Sequence, residues 1–453
     1  MRRTESVSEL EALEALEAKS FLPRTLGTLR YMGPGYLQSA MTLGGGTAFA
    51  SIFAGAAFGY RLLWVAPLSM LLGVIVLAAV AHQTLSVDEN PFAAMRRHAG
   101  PFFAYGWAIA GILSSIIWQF AQYALASAML VAIARSSGVE VSSGAMGVLA
   151  LLWCVAVAFL YQSQPRLVRL YETILKGMVW FIVLTFGFVV LKAGVPQPGE
   201  LLSGLVPSVP DETKGVKGGT LIVSGLAAAV GANMVFVYPY TLRKRGWGRA
   251  HRRLARLDLV FGMLVPYAIA ASLMLIASAS VFHYGDPALF AGKTIAPWEA
   301  AEILARPDRL GPVAGMWVFG LGIVAMAVSS ITMQMLCSGF ALCEMLGRKS
   351  EGTLYRVGML LPAVGVLGSV WWNDVRLWMA VPTNVLCGFL LPVVYLGFYR
   401  LQGNRAYLGE HLPAGWKARA WRAGMLLSTL VLVAGLVWFA RNEIPAWFDE
   451  VTR

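Results

Sequence analysis

The sequence predicts an all-α integral membrane protein built on an inverted repeat of five helices plus one further helix. Three observations predict it. Of 453 residues, 58% are hydrophobic and only 13% charged, with a mean hydropathy of +0.65, whereas a soluble chain of this length carries about a quarter charged residues. Between charged or Pro/Gly-rich breaks lie eleven apolar runs, each long enough to cross a bilayer core of about 30 Å as a helix. The first and sixth runs are interrupted at their middles by helix-breaking residues, an offset of five. This balance excludes a nucleic-acid-binding protein, a secreted disulfide scaffold and an ordinary cytosolic enzyme. The four cysteines, Cys154, Cys337, Cys343 and Cys387, all fall inside apolar runs without a C-x-x-C spacing, so they act as small hydrophobes.

Residues 1–29 form a cytoplasmic segment without the apolar core of a signal peptide. Ser6 and Glu9 have capping-box spacing and Leu10, Leu13 and Leu16 recur every third residue, which predicts a short amphipathic helix ahead of the membrane. Residues 30–441 form one transmembrane domain, with spans near 31–57 (interrupted), 62–86, 102–134, 143–163, 167–191, 219–241, 257–283, 311–346, 355–372, 375–399 and 420–440. The ninth is short and holds Pro362. Residues 442–453 are an external tail. The loop 192–218 is rich in Pro and Gly and expected to be irregular, while WEAAEILA in the loop 284–310 is expected to form a short helix on the membrane surface.

Orientation follows from basic residues. With the N-terminus inside, the cytoplasmic segments and span ends carry 24 Lys/Arg and the external ones 11, with Lys176 inside the fifth span. This is the positive-inside pattern, set most firmly by RKRGWGRAHRRLAR after the sixth span. The expectation is a multi-pass inner (plasma) membrane protein with a cytoplasmic N-terminus and an external C-terminus. The basic cluster is taken as a solvated loop at the inner leaflet, the commoner meaning of such a run.

The first span, YMGPGYLQSAMTLGGGTAFASIFAGAAFGY, places Gly44, Gly45 and Gly46 near its centre. Each glycine costs about 1 kcal/mol against alanine in a helix, so the run predicts an unwound point. The sixth, LIVSGLAAAVGANMVFVYPYTL, has Gly231 and Asn233 at its middle and Pro239 further on. Broken helices at repeat-related positions expose backbone groups to a substrate at the bilayer midplane, the signature of secondary transport. GAAFG, from Gly55 to Gly59, reads instead as a close-packing surface.

These residues resemble a family. GPGYLQSAMTLGGGTAFASIFAGAAFGYRLLWV is similar to the first helix and following hairpin of the Nramp family of divalent metal transporters. IVSGLAAAVGANMVFVYPYTLRKRGW resembles its sixth helix, WVFGLGIVAMAVSSITMQMLCSGFAL its eighth and PTNVLCGFLLPVVY its tenth. The resemblance spans about residues 24–440 and implies a LeuT-type fold, helices 1–5 and 6–10 forming the inverted repeat, with alternating access to a central site. The family's first-helix motif is Asp-Pro-Gly-Asn, and its positions match Gly44, Gly45, Gly46 and Thr47, so the metal carboxylate is absent. Its sixth-helix Met-Pro-His matches Gly231, Ala232 and Asn233, and a shift of one or two residues brings Met234 there instead. The tenth-helix Gln matches Asn384. The family's proton route, an acidic pair in the third helix and a second His in the sixth, matches Gln119, Gln122 and Tyr238. All three are neutral near pH 7.

Gly44, Thr47, Gly231, Asn233, Met234 and Asn384 are therefore the candidate substrate-binding positions, and Gln119, Gln122 and Tyr238 the former proton positions. Gln38 and Gln334 are further interior amides. Glu172 and Lys176, one turn apart in the fifth span, are expected to neutralise each other, as are Glu344 and Arg348 at the end of the eighth. His82 reads as a packed interfacial histidine. No cluster has catalytic or metal-ligand spacing, so neither an enzyme nor a cofactor is expected. The expected partners are the bilayer and a small solute or ion, with no nucleic acid and a monomeric chain. By family the solute is a divalent metal cation. The residues also admit a hydrated hard cation such as Mg2+, which gives up water reluctantly, a non-metal small molecule, or a transport-inactive scaffold or sensor.

Overall fold

The structure, a computed structural model, describes residues 11, 15, 27–161, 165–213, 216–290, 297–371 and 380–445. The expected amphipathic helix at the N-terminus and the end of the C-terminal tail lie outside them. Ten of the described helices are long and apolar enough to cross a membrane, and a bent pair adds an eleventh span. That pair is the first span, with α1 at Pro34–Thr42 and α2 at Gly45–Phe58, their axes 57° apart. The sixth span is divided into α3, Gly218–Ala229, and α4, Ala232–Arg245, by the extended residues Val230 and Gly231. The break positions are those the glycines predict.

Contacts repeat with an offset of five. The N-terminal half of span one, α1, packs on span five (Pro165–Ala193) as α3 packs on Ala380–Gly388, the first helix of the tenth span. Likewise α2 packs on the seventh span (Arg249–His283) as α4 packs on the second (Val65–Ser86). The most extensive contact joins the third span (Pro101–Ser136) to the eighth (Val313–Met345). Burial sorts the helices: 89% of the sixth span's apolar window and 78% of the eighth's are buried, against 28% for the fourth (Ser143–Leu160) and 33% for the eleventh (Gly415–Asn442). Exposed Leu152, Trp153, Leu427 and Leu430 give those outer helices an apolar surface suited to lipid.

Small residues set the close approaches. A Cβ on Gly55 would lie 2.3 Å from the carbonyl oxygen of Leu275, and Ser278 Oγ donates to Ile52 O at 2.6 Å across the same contact. Gly55→Val should therefore push α2 off the seventh span and lower stability by about 1–3 kcal/mol. Thermal unfolding of the purified protein reads this directly, and an unchanged midpoint would mean the two helices do not touch.

Three loop and span expectations meet the structure differently. WEAAEILA does form a helix, Pro297–Leu304. The loop 192–218 is not wholly irregular: Pro198 starts a short helix, Pro198–Gly204, because proline at the first helical position has its φ already set. Gly204 O accepts Trp64 N–H at 3.0 Å and fastens that helix to the start of the second span. In the ninth span, Pro362 opens a tighter 3-10 stretch, Leu361–Leu367, between two α-helical turns.

Candidate functional site

The two breaks meet, and side chains satisfy the backbone groups that each helix end leaves unpaired. Thr42 Oγ donates to Ala228 O and Ala229 O, at 3.1 and 2.9 Å, closing the last turn of α3. Thr47 Oγ donates to Thr42 O at 2.7 Å. The first N–H of α2, on Gly45, donates to Gln122 Oε1 at 2.7 Å. Gln122 Nε2 reaches Ser330 Oγ at 3.2 Å, and that hydroxyl donates to Met41 O at 2.8 Å. Gln334 Nε2 also donates to Ser330 Oγ, at 3.1 Å.

On the opposite wall Asn384 Oδ1 accepts the Trp118 indole N–H at 3.0 Å. Its Nδ2 donates to Ser224 Oγ at 3.0 Å and Gly46 O at 3.4 Å. Between these groups is a cavity of about 20 Å3, bordered by Thr47, Trp118, Gln122, Met234, Gln334 and Asn384 among others. A water needs about 10–15 Å3 on this measure, so the space holds one or two water-sized groups. Gln334 borders it, and its Oε1 is buried without a partner, an acceptor unused in this arrangement.

Three of the four glycines at the breaks are glycines because neighbours occupy the room a side chain would need. A Cβ on Gly44 would meet Gln122 Nε2 at 2.5 Å and Ser330 Oγ at 2.8 Å, one on Gly46 would meet Asn384 Oδ1 at 2.3 Å, and one on Gly231 would meet the Trp118 ring at 2.4 Å. Space next to the breaks is thus filled from the third, eighth and tenth spans by neutral polar or aromatic groups. Every side chain named on the cavity wall is uncharged, and no group of three or more His, Cys, Asp or Glu suited to a metal occurs among the described residues.

Thr47, Met234 and Asn384 come together on the cavity, joined by Gln122. Gly44 and Gly231 lie beneath Gln122 and Trp118 instead. Asn233 turns from the cavity, its Oδ1 accepting Met234 N–H at 2.8 Å, with Nδ2 unpartnered. Gln119 Nε2 donates to Ile331 O at 3.1 Å, and Gln119 Oε1 and the Tyr238 hydroxyl are buried without partners. Gln38 is fully buried with both amide atoms unpartnered. Trp118 and Ser330 went unnoticed in the sequence. An aromatic and a serine within apolar runs carry no signal, and only their neighbours in space give them a role.

At the N-terminal end of span one the charges differ from expectation. Glu172 does not pair with Lys176: its Oε2 lies 2.7 Å from Arg245 Nη1 at the end of α4, with side chains 9% and 16% exposed. Lys176 donates to Leu29 O at 3.1 Å and its ammonium lies 4.7 Å over the Tyr36 ring. Helix packing brings a rigid guanidinium fork to the carboxylate, which outweighs one-turn proximity on the same helix. Asp258, fully buried and not singled out in the sequence, accepts Gly35 N–H on Oδ2 at 2.6 Å and so caps α1 from the seventh span. Glu344 accepts Asn90 Nδ2 at 3.0 Å, a partner other than the expected Arg348. His82 lies 3.0 Å from His411 O and edge-on to Trp421, a packed position.

The sequence profile of the family described as "Natural resistance-associated macrophage protein-like" matches residues 35–438. The "Divalent metal cation transporter MntH" of Mycobacterium leprae is 23% identical over 89% of this chain and 90% of its own length. That of Chromohalobacter salexigens is 25% identical over 90% and 91%. Among solved structures, the Eremococcus coleocola manganese transporter in complex with an aromatic bis-isothiourea compound superposes with a TM-score of 0.74 at 15% identity, covering 96% of this chain and 92% of that one. Mhp1, a nucleobase-cation-symport-1 family transporter, superposes at 0.57 with 14% identity, covering 91% and 92%. These likenesses and the paired broken spans make the fold LeuT-type. With the family profile matched along nearly the whole chain, the protein is a member of the Nramp family, a family of membrane transporters.

Proposed function

We propose that this protein is a secondary transporter that moves a divalent cation by alternating access, and that it holds the cation through attached water in a state more open than this one, whose cavity admits one or two water-sized groups. Neutral amide and hydroxyl oxygens take the place of anionic ligands. One observation carries the reading: the wall between the two breaks is intact, polar and uncharged, with Gln122, Asn384 and Trp118 packed into the places that side chains at positions 44, 46 and 231 would need. A dehydrated transition metal is poorly served by such a wall, which offers two thioethers, Met41 and Met234, and no carboxylate. A hard cation such as Mg2+ keeps several waters and needs oxygens to accept hydrogen bonds from them. Gln334 Oε1 is free to do so.

The test is uptake into liposomes across a panel of divalent cations, beside ligand-induced thermal shift. Uptake of Mg2+ in preference to Mn2+ supports the reading. A thermal shift with a neutral solute and no cation uptake would replace the cargo, and neither signal would favour a transport-inactive sensor.

The proposed topology has residues 243–256 cytoplasmic and residues 284–310 external, from the 24 to 11 basic asymmetry. Single cysteines in intact cells check it: one replacing exposed Arg249 should resist an impermeant thiol reagent, and labelling there would reverse the orientation.

Proton coupling through the family's positions is not expected, because Gln119 and Gln122 do not titrate and a tyrosine hydroxyl keeps its proton far above neutral pH. Cation-driven flux in liposomes loaded with a pH-sensitive dye should show no stoichiometric acidification. Acidification lost in Gln119→Ala or Tyr238→Phe would show that these neutral residues still guide protons.

A further inference from the structure

At the inner end of the molecule the basic run between residues 243 and 256 is folded into a wall. A cleft of about 470 Å3 lies between the end of the second span and the loop from α4 into the seventh, bordered by Ser86, Asp88, Arg243, Trp247 and Arg249 among others. The loop has a fixed shape. Gly246, at φ +83°, ends α4 in the left-handed conformation that glycine tolerates. Trp247 is 5% exposed, stacked parallel to His251 at 5.9 Å, and His251 Nδ1 accepts Gly248 N–H at 3.1 Å.

The charges are unevenly used. Arg245 is paired with Glu172, and Lys244 sits 5.9 Å over the Tyr161 ring. Arg243 donates to the carbonyls of Val87 and Glu89, at 3.3 and 2.7 Å, and Arg252 to Ser86 Oγ at 3.1 Å and Arg249 O at 3.2 Å. Those partners hold the guanidinium groups in place without cancelling their charge. Arg249 is exposed and has no ion pair among the described residues. The cleft has one acid in its wall, the exposed Asp88, since the neighbouring Glu89 is engaged by Arg97 and His98 at 3.0 and 3.1 Å.

From this we infer a binding site for a phosphate-bearing ligand, with Arg243 and Arg249 on the phosphate and Arg252 adding charge from behind Ser86. A guanidinium fork matches phosphate oxygens, and basic pockets between spans on the cytoplasmic side suit anionic headgroups. The ligand is a phospholipid headgroup of the inner leaflet or a soluble phosphate, and either would bridge the second span to the sixth-to-seventh loop. The inference does not depend on which solute crosses the central site.

The full-length protein in nanodiscs provides the test. In discs of phosphatidylcholine alone, and in discs with phosphatidylglycerol added, native mass spectrometry reads retained lipid and thermal unfolding reads stabilisation. Phosphatidylglycerol should be retained selectively and raise the midpoint. Arg249→Gln, at an exposed position that leaves the packing alone, should weaken retention about fivefold, the effect of one basic residue near an anionic surface. Arg243→Gln with Arg249→Gln should weaken it further, and Asp88→Asn should strengthen it. Inorganic phosphate titrated into phosphatidylcholine discs separates the sources, because stabilisation there with no phosphatidylglycerol preference identifies a soluble ligand. Equal retention of the two lipids with no effect of phosphate, or a preference indifferent to Arg249→Gln, would overturn the site.

Discussion

Gly46→Ala, the addition of one methyl group, is expected to reduce uptake by about tenfold to a hundredfold while leaving a folded protein in the membrane. The new carbon would lie 2.3 Å from Asn384 Oδ1, so the amide must move. When it moves it releases the Trp118 indole N–H and the Ser224 hydroxyl together. Overpacking of this kind costs about 1–3 kcal/mol, a range of about fivefold to 150-fold that brackets the stated factors. Here the loss falls on the wall of the cavity. Asn384→Ala should give a comparable loss by the opposite route, leaving the indole donor buried and unpaired. Parallel size-exclusion and uptake measurements separate function from folding. Near-normal uptake by both variants would remove the tenth span from the proposed site.

Glu172→Ala is the second large effect. It would leave Arg245, whose side chain is 16% exposed, without its carboxylate, and stripping one partner from a buried pair costs about 3–5 kcal/mol. The expected change is not only global stability. Glu172 Oε2 would be 3.1 Å from a Cβ on Gly33, and Lys176 and Asp258 hold Leu29 and Gly35 nearby. Charged groups from the fifth, sixth and seventh spans thus surround the start of α1. The loss of Glu172 should loosen that end first, so a cysteine at Ser39, buried on α1, should react faster with a thiol reagent in Glu172→Ala than in the parent protein. Glu172→Gln, which keeps the size and an acceptor oxygen, should be milder. Equal reactivity in all three would mean that the pair stabilises the fold without holding this helix.

What could be read from the sequence follows the physics of each signal. The spans were legible because about twenty apolar residues are a local requirement that no tertiary contact can replace. The break in span one was legible because three successive glycines weaken a helix wherever they occur. Why those residues are glycines was not legible: the atoms that exclude a side chain belong to Gln122, Trp118 and Asn384, which are remote in sequence. The sixth-helix register was ambiguous for a related reason. Gly231 occupies the break, yet Met234, three residues on, is the one on the cavity wall. Glu172 chose Arg245 over Lys176 because helix packing, absent from any one-turn rule, placed the guanidinium. Asp258 escaped notice since it falls in the first turns of the seventh span, where a charge reads as interfacial, although the structure buries it completely.

The central claim is that a neutral wall of amides and hydroxyls recognises a cation with its water still attached. Competition between Mg2+ and Mn2+ for uptake into liposomes containing the purified protein tests it most directly. The expected result is Mg2+ uptake that Mn2+ inhibits only weakly and that Gly46→Ala reduces by about tenfold or more. Saturation by Mn2+ at micromolar concentration, lost when Thr47 or Asn384 is altered, would contradict it, because such affinity requires direct ligation that this wall should not supply.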